Sequence, residues 1–155
     1  MPVPKNLPVD GRIKIDGVEF DLDTLYPDLR VDPAHIIQQL TDQAAIYGYW
    51  AVLSEEADVI LFSKKRVLER VEADLDEKLR KEARDEGEKV TETVIQRRIL
   101  REEAYQDAMD ALVEARRNAS YLGRLVRALE QRLSALIAVN NRDRAEMAAV
   151  GREGS

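Results

Sequence analysis

The chain of 155 residues has no cysteine, only 5 prolines and 7 glycines, and 5% aromatic residues. The absence of cysteine excludes a disulfide scaffold and thiolate chemistry, and it fits a reducing compartment. The longest apolar run, residues 44–53, is about half of the ~20 residues that a membrane span requires. The first residues lack the basic and apolar regions of a secretory signal. We therefore expect a soluble cytoplasmic protein with no membrane partner.

Charge, by contrast, is abundant, with 24 basic and 30 acidic residues and a formal net charge of −6. That total argues against a nucleic-acid partner, but the charges are unevenly distributed. Residues 1–35 carry 4 basic and 7 acidic side chains, residues 36–87 carry 8 and 12, and residues 88–155 carry 12 and 11. Between Arg116 and Arg144, 7 arginines stand against only 2 acids. This basic stretch keeps a nucleic-acid partner open.

The first segment, residues 1–32, predicts a β-hairpin followed by an acidic linker. Apolar and polar residues alternate in 13–15 and 18–20 on either side of Asp16-Gly17, a pair that suits a tight turn. Because an isolated hairpin is marginally stable in water, we expect it to lie against another element. The following acids lack the glycine and terminal glutamate of a calcium loop, which favours a solvated linker over a metal site. These acids are Asp21, Asp23 and Asp28.

Asp32 and Pro33 predict the start of a long helix, as N-cap and first helical residue. No proline and a single glycine, Gly48, occur from there to Arg84. Apolar residues recur mostly at steps of three or four, as on one face of a helix. They are Ile36, Leu40, Ile46, Trp50, Leu53, Ala57, Ile60, Val67, Val71, Leu75 and Leu79. A turn is predicted over residues 85–89, with Gly87 as C-cap and Thr91 as the next N-cap.

A second amphipathic helix is predicted from Thr91 to about Asn141. Its apolar positions keep close to a 3.5-residue repeat: Ile95, Ile99, Tyr105, Met109, Leu112, Ala119, Leu122, Val126, Leu129, Leu133 and Leu136. Residues 118–123 contain weak helix formers, which leaves a break there open. The expected fold is all-α, with a long antiparallel helical hairpin over residues 33–147, the small β-hairpin before it and a disordered tail over 148–155.

Each apolar stripe is wide, often with two adjacent apolar residues per turn. Examples are Ile36/Ile37, Ile60/Leu61, Val67/Leu68, Leu125/Val126 and Leu136/Ile137. A single helical hairpin covers one side of each helix, so a monomer would expose more contiguous apolar surface than soluble proteins usually do. We therefore expect a homo-oligomer, as a helical bundle or a ring.

Catalytic patterns are weak, and we expect a protein that is not an enzyme and needs no cofactor or metal. The single histidine, His35, stands at the predicted helix start, where a surface role is favoured over a metal ligand or a base. No glycine-rich phosphate loop or nucleophile elbow occurs. Carboxylate pairs such as Glu55/Glu56 and Glu102/Glu103 are adjacent and point to different sides of a helix, as on solvated faces.

Two basic clusters are candidates for binding a nucleic-acid backbone. The first comprises Lys64, Lys65, Arg66 and Arg70, and the second comprises Arg116, Arg117, Arg124 and Arg127. Spaced cations can follow phosphates, and Tyr121, on the face of Arg117 and Arg124, could stack on a base. Intrahelical pairs such as Arg66–Glu69 and Arg98–Glu102 are the favoured alternative for the first cluster. For residues 116–132, which are almost free of acids, the two interpretations stay equally open.

Tyr47, Tyr49 and Trp50 are the one aromatic cluster, and Tyr47 and Trp50 share a helix face. Packing within or between subunits is favoured over a base-stacking platform. The residues expected to pack the helices or the oligomer are Tyr47, Trp50, Ile60, Leu122, Leu129 and Leu136.

The order of elements resembles the UvsY-like recombination mediators of bacteriophages. The shared features are an aliphatic-Tyr-x-x-Trp element at residues 46–50, a basic stretch, a polar glycine-containing turn, a helix starting with Thr and Glu, and a last helix rich in Leu, Ala and Arg. The resemblance covers about residues 33–145. It implies a ring-like helical oligomer in the cytoplasm of a host cell, in which Tyr47 and Trp50 pack helices and residues 64–70 lie near DNA. The acidic balance and the added β-hairpin depart from the family.

The resemblance implies a non-enzymatic mediator that binds single-stranded DNA and helps load a strand-exchange recombinase onto DNA covered by single-strand-binding protein. The alternative is a structural or assembly scaffold that acts through helix–helix contacts with other proteins. A third hypothesis is a coiled-coil regulator whose acidic face mimics or occludes nucleic acid.

Overall fold

The computed structural model of the protein describes residues 12–15, 18–21 and 29–153. Two strands, β1 (Arg12–Ile15) and β2 (Val18–Asp21), pair antiparallel with Ile15 opposite Val18, as the alternating pattern predicts. Phe20 on β2 contacts Trp50 edge to face, with ring centroids 6.1 Å apart. The hairpin therefore lies against a helix, as its marginal stability alone requires. The predicted turn Asp16-Gly17 and the linker residues Asp23 and Asp28 lie outside the described residues.

The start of the first helix follows the predicted capping. The Asp32 carboxylate accepts a hydrogen bond from the Ala34 amide at 3.0 Å, and Pro33 opens a 3₁₀ turn (Pro33–His35) that leads into helix α1 (Ile36–Asp85). His35 is exposed, and its Nδ1 lies 2.7 Å from Asp32 Oδ2. That contact and the Ala34 amide lower the pKa of Asp32. His35 thus lies at the surface, where it contacts the side chain of the N-cap residue Asp32.

A glycine-terminated turn ends α1 where the sequence predicts it. Gly87 has a φ of 71°, and its amide donates to the Arg84 carbonyl at 3.1 Å, while the Glu88 amide donates to the Ala83 carbonyl at 2.8 Å. These two bonds form a Schellman motif, which uses carbonyls that the end of a helix leaves without intrahelical donors. Thr91 then takes the N-cap position of a short helix, α2 (Glu92–Ile99), without donating or accepting a side-chain capping bond.

The predicted second helix is broken at residues 100–102. Residues 118–123, where the sequence leaves a break open, are helical. Helix α3 (Glu103–Glu153) follows and extends past residue 147. No glycine or proline marks the break. Its sequence signal is the six-residue step between the apolar Ile99 and Tyr105, which a continuous helix would place on different faces. Breaking the helix lets Tyr105 pack against the buried cluster that contains Ile99.

The described chain is mostly helical, and the long helix α1 packs against α3, as the fold prediction requires. It divides into two compact units. The first unit contains the described residues up to Glu55 and those from Ser120 onward, and the second unit is Glu56–Ala119. The first unit combines the start of α1 with the later part of α3, and the second unit combines the end of α1 with the beginning of α3. Within each unit the two helices are therefore paired antiparallel. Self-association stays a prediction.

The core of the first unit is a seam with a seven-residue spacing. Leu122, Leu129 and Leu136 on α3 are fully buried, and the buried residues Ile36, Gln43 and Trp50 repeat at the same interval on α1. Seven-residue repeats keep one face of a helix toward its partner. Polar Gln43 is the exception in this seam, and its hydrogen bonds are described below.

The core of the second unit is built around α2. Ile95 and Ile99 are fully buried against Leu75 and Leu79, with Val71, Val90 and Tyr105 around them. In the two units together, four residues of the predicted stripes are instead exposed, Ile37 at 66%, Val67 at 43%, Leu133 at 39% and Ile137 at 46%. They lie at the margins of their stripes, and the facing helix covers only the centre.

Replacing Gly87 by Ala should destabilise the protein by about 1–2 kcal/mol, because an L-residue strains at this positive φ. Gly123→Ala is the matched substitution: Gly123 is helical and has open space around the position of a Cβ. It should stabilise the protein by about 0.5–1 kcal/mol. Urea unfolding followed by circular dichroism measures both, and equal effects of the two variants would contradict the Schellman assignment.

Candidate nucleic-acid interface

The first basic cluster, Lys64, Lys65, Arg66 and Arg70, is exposed on α1 within the second unit. None of these side chains forms an ion pair with another described residue. The expected Arg66–Glu69 pair is therefore not made. The four cations remain accessible from solvent, and whether they bind DNA stays a prediction.

The second basic cluster is divided between the two units. Arg116 and Arg117 belong to the second unit and Arg124 and Arg127 to the first, and all four are exposed on α3. None pairs with an acid among the described residues. The sequence from 115 to 129 contains no Asp or Glu. The nearest acids along the helix, Glu114 and Glu130, stand three residues from Arg117 and Arg127 and form no ion pair with them.

Arg132 departs from the basic stretch to which its sequence position assigns it. Its side chain is buried, with the residue 6% exposed, and its Nε donates to the Arg30 carbonyl at 3.0 Å. Its Nη1 donates to Gln43 Oε1, and Gln43 Nε2 donates to the Leu129 carbonyl at 2.8 Å. Arg132 therefore holds the first unit together and is unavailable to DNA.

The sequence does contain a signal for this burial. Arg132 follows Leu129 by three residues and precedes Leu136 by four, so it shares their face of the helix. Gln43 stands at seven-residue spacing between Ile36 and Trp50 in the same way. The number of charges in the stretch does not indicate that either residue is buried, whereas their position on the apolar face of the helix does.

Gln43→Leu should destabilise the protein by about 2–4 kcal/mol, because it leaves a buried guanidinium without its side-chain acceptor. The double variant Gln43→Leu/Arg132→Met removes the buried charge as well. It should recover at least ~1 kcal/mol of that loss. Urea unfolding of Gln43→Leu, Arg132→Met and the double variant measures the coupling between the two residues. Strictly additive losses in the free energy of unfolding would contradict this coupling.

The aromatic cluster is partly committed to the first unit. Trp50 is buried and contacts Phe20 and, at 5.1 Å, the exposed ring of Tyr49. The half-buried Tyr47 donates a hydrogen bond from its hydroxyl to Glu130 Oε1 at 3.1 Å, and this bond raises the pKa of Tyr47. Trp50 therefore presents little ring surface to a base. Ile60 is half-buried in the second unit.

An ion-pair network next to the turn was not anticipated from the sequence. Arg80 on α1 donates from Nε to Asp76 at 2.7 Å and from Nη2 to Glu92 on α2. These hydrogen bonds raise the pKa of Arg80 and lower those of Asp76 and Glu92. Arg80 thereby links α1 to α2 within the second unit.

Two further pairs accompany that network. Arg98 pairs with Glu88 at 2.7 Å and not with Glu102, the partner that helical spacing suggests. Glu102 lies instead 3.7 Å from Lys78. Both pairs join residues 10 or more positions apart in the chain, which the i,i+4 spacing rule does not predict.

Arg80→Met should reduce the pH dependence of the protein's stability at acidic pH. Because the pKa values of Asp76 and Glu92 are lowered in the folded protein, their ionised carboxylates stabilise the fold fully above the ordinary pKa values of 3.8 and 4.5. This stabilisation is lost as the pH falls through the lower pKa values of the folded state. The melting temperature of the wild type should exceed that of the variant by more at pH 7 than at pH 3. Lys81→Met, at an adjacent exposed position, is the control, and a pH-independent difference for Arg80→Met would contradict the assignment.

The acidic side chains near the turn are poorly placed to bind a metal ion or to act as a base. The described part of the chain holds no cluster of three or more His, Asp or Glu side chains positioned for a metal ion. A shallow groove near the turn is lined by Asp76, Arg80 and Glu88. The carboxylate of Asp76 has a lowered pKa because of Arg80, and a general base works best with a pKa near the working pH. The groove is therefore a poor acid–base site.

No helix among the described residues combines the length and the hydropathy needed to span a membrane. In comparisons with known proteins, no family model, no curated protein and no solved structure matches this chain.

Proposed function

We propose that the protein binds single-stranded DNA as a homo-oligomer and acts, without catalysing a reaction, as a recombination mediator. In this role it helps a strand-exchange recombinase load onto DNA that single-strand-binding protein covers. The binding step and the loading step have different support.

The binding step is carried by the four exposed arginines of α3 that have no acidic partner among the described residues. Arg124 and Arg127 are three residues apart on α3 in the first unit, and Arg116 and Arg117 are adjacent in the second. A guanidinium can donate two parallel hydrogen bonds to a phosphate. No carboxylate occurs in residues 115–129, and the flanking Glu114 and Glu130 form no ion pair with these arginines.

Each subunit offers few such contacts, so one subunit should bind weakly. Neutralising a phosphate releases condensed counterions, and the gain in affinity falls as salt rises. Several subunits along one strand convert later contacts into intramolecular ones and raise the overall affinity. The mechanism is therefore electrostatic and depends on self-association.

The loading step is supported by the resemblance to UvsY-like mediators in the order of elements and in the aliphatic-Tyr-x-x-Trp element at residues 46–50. Its partners, a recombinase and a single-strand-binding protein, come from that resemblance. They are part of the proposal together with the DNA.

An assembly scaffold is the second candidate, and exposed apolar side chains on α1 favour it. Ile37 and Val52 in the first unit and Val59 and Phe62 in the second are each more than half exposed. Such side chains can contact helices of other proteins. The mediator should bind an oligonucleotide with an affinity that falls steeply with salt, whereas the scaffold should not bind it even at low salt.

The double variant Arg124→Ala/Arg127→Ala should bind a labelled single-stranded oligonucleotide more weakly than the wild type. The magnitude of the slope of log K against log salt should fall by about 1.4 for each subunit bound to the strand, at ~0.7 per neutralised phosphate. Arg142→Ala/Arg144→Ala on the same helix gives the same change in charge, and Arg142 already lies near Asp143 and Glu146. That control should keep the wild-type slope. Fluorescence anisotropy at several salt concentrations measures all three.

Two results would contradict the proposal. The first is equal loss in both double variants, which would reflect net charge and not a site. The second is a wild-type protein that remains oligomeric but does not bind the oligonucleotide at low salt, which would favour the scaffold.

A further inference from the structure

Within the second unit, α1 carries a pair of largely exposed apolar side chains, Val59 and Phe62. Val59 and Phe62 are 62% and 63% exposed, and their three-residue spacing places them on one face. Ala57, which is 2% exposed, lies on the opposite side of the helix and packs in the core. The pair Val59 and Phe62 therefore faces away from the core.

Opposite charges flank this apolar pair on one side. Asp58 and Lys65 are exposed and are seven residues apart, or about two helical turns, so they lie on the same flank of the helix. Neither forms an ion pair with another described residue. Asp58 is at the N-terminal end of this flank and Lys65 at its C-terminal end. The flank is therefore complementary in charge to the same flank of a second, antiparallel helix.

We propose that Asp58, Val59, Phe62 and Lys65, here called the self-pairing face, bind the same face of a second copy of this chain. The two helices run antiparallel about a two-fold axis that passes beside residue 61, midway between the centres of the apolar and the charged contacts. Val59 of each copy then packs against Phe62 of the other. Asp58 of each copy meets Lys65 of the other, so two equivalent ion pairs flank the apolar contact, as two-fold symmetry requires.

The charges select the antiparallel arrangement over the parallel one. In a parallel pair Arg66 would lie beside its own equivalent, and Lys65 would approach Arg70 of the second copy. In the antiparallel pair like charges are kept apart on this flank. The apolar centre and Asp58 also fit a protein helix better than a nucleic acid, because a carboxylate repels phosphate.

The self-pairing face is short, and a contact below ~1,000 Å² is expected to be weak and concentration-dependent. It supplies one of the contacts from which a larger oligomer can be assembled. The inference rests on the self-association in the proposed function and is independent of DNA binding. It assigns Lys65 of the first basic cluster to a protein contact.

Sedimentation velocity over a range of protein concentrations, without DNA, tests the face by exchange of charges. Asp58→Lys and Lys65→Asp each place like charges against one another across the two-fold axis. Each should weaken self-association at least ~10-fold. The double variant Asp58→Lys/Lys65→Asp restores opposite charges and should return to within ~3-fold of the wild type. Far-UV circular dichroism checks that every variant keeps its helices.

Lys81→Asp, at another exposed and unpaired lysine of α1, has the same charge change as Lys65→Asp and should leave self-association unchanged. Phe62→Ala should weaken self-association in both the wild type and the charge-exchanged double variant. A monomeric wild type, a double variant no better than the single ones, or an equal effect of Lys81→Asp would overturn the self-pairing face.

Oligonucleotide binding of the same variants separates this inference from the proposed function. Failure of the charge exchange, with salt-dependent DNA binding and oligomers retained, would reject the face and leave the mediator standing. Successful exchange without any DNA binding would keep the face and reject the mediator.

Discussion

The hydrogen bond from Arg132 to Gln43 is the interaction on which the first unit depends. Leucines at seven-residue spacing would pack comparably if one helix slid by a heptad, because each layer resembles the next. A buried guanidinium has no such freedom, since it must reach its acceptors on Gln43 and at the Arg30 carbonyl. We infer that this polar layer fixes the register of α1 against α3, while the leucines supply most of the stabilisation.

Helix existence and helix ends were predictable where the sequence contains strong local signals. Asp32-Pro33 and Gly87 act through the chain within a few residues, so their capping roles could be recognised without tertiary structure. The break after Ile99 has no glycine or proline and arises because α2 folds onto Leu75 and Leu79. Only the six-residue gap in the apolar pattern indicates it. Tertiary packing decides such a break, and local propensity does not.

Charged residues show the same limit at the candidate site. Sequence position indicated a basic stretch on α3, but exposure divides its members: Arg124 and Arg127 face solvent, whereas Arg132 is buried. Around the turn, Arg80 and Arg98 take acidic partners 10 to 12 residues away, which depends on how α2 is oriented. The net charge of the chain indicates neither which arginines are buried nor which are paired with acids. The charges that matter for a partner are those that folding leaves accessible and unpaired.

The contact between Phe20 and Trp50 has a consequence for experiments in solution. Trp50 is the one tryptophan of the chain, and the aromatic ring of the β-hairpin lies at its edge. Its fluorescence therefore reports on the environment at the hairpin–helix contact, while the circular dichroism of the protein reports almost only on the helices. Comparing the two signals during unfolding would show whether the hairpin detaches before α1 loses its structure. The chain thus carries an internal probe at the junction of its β and α elements.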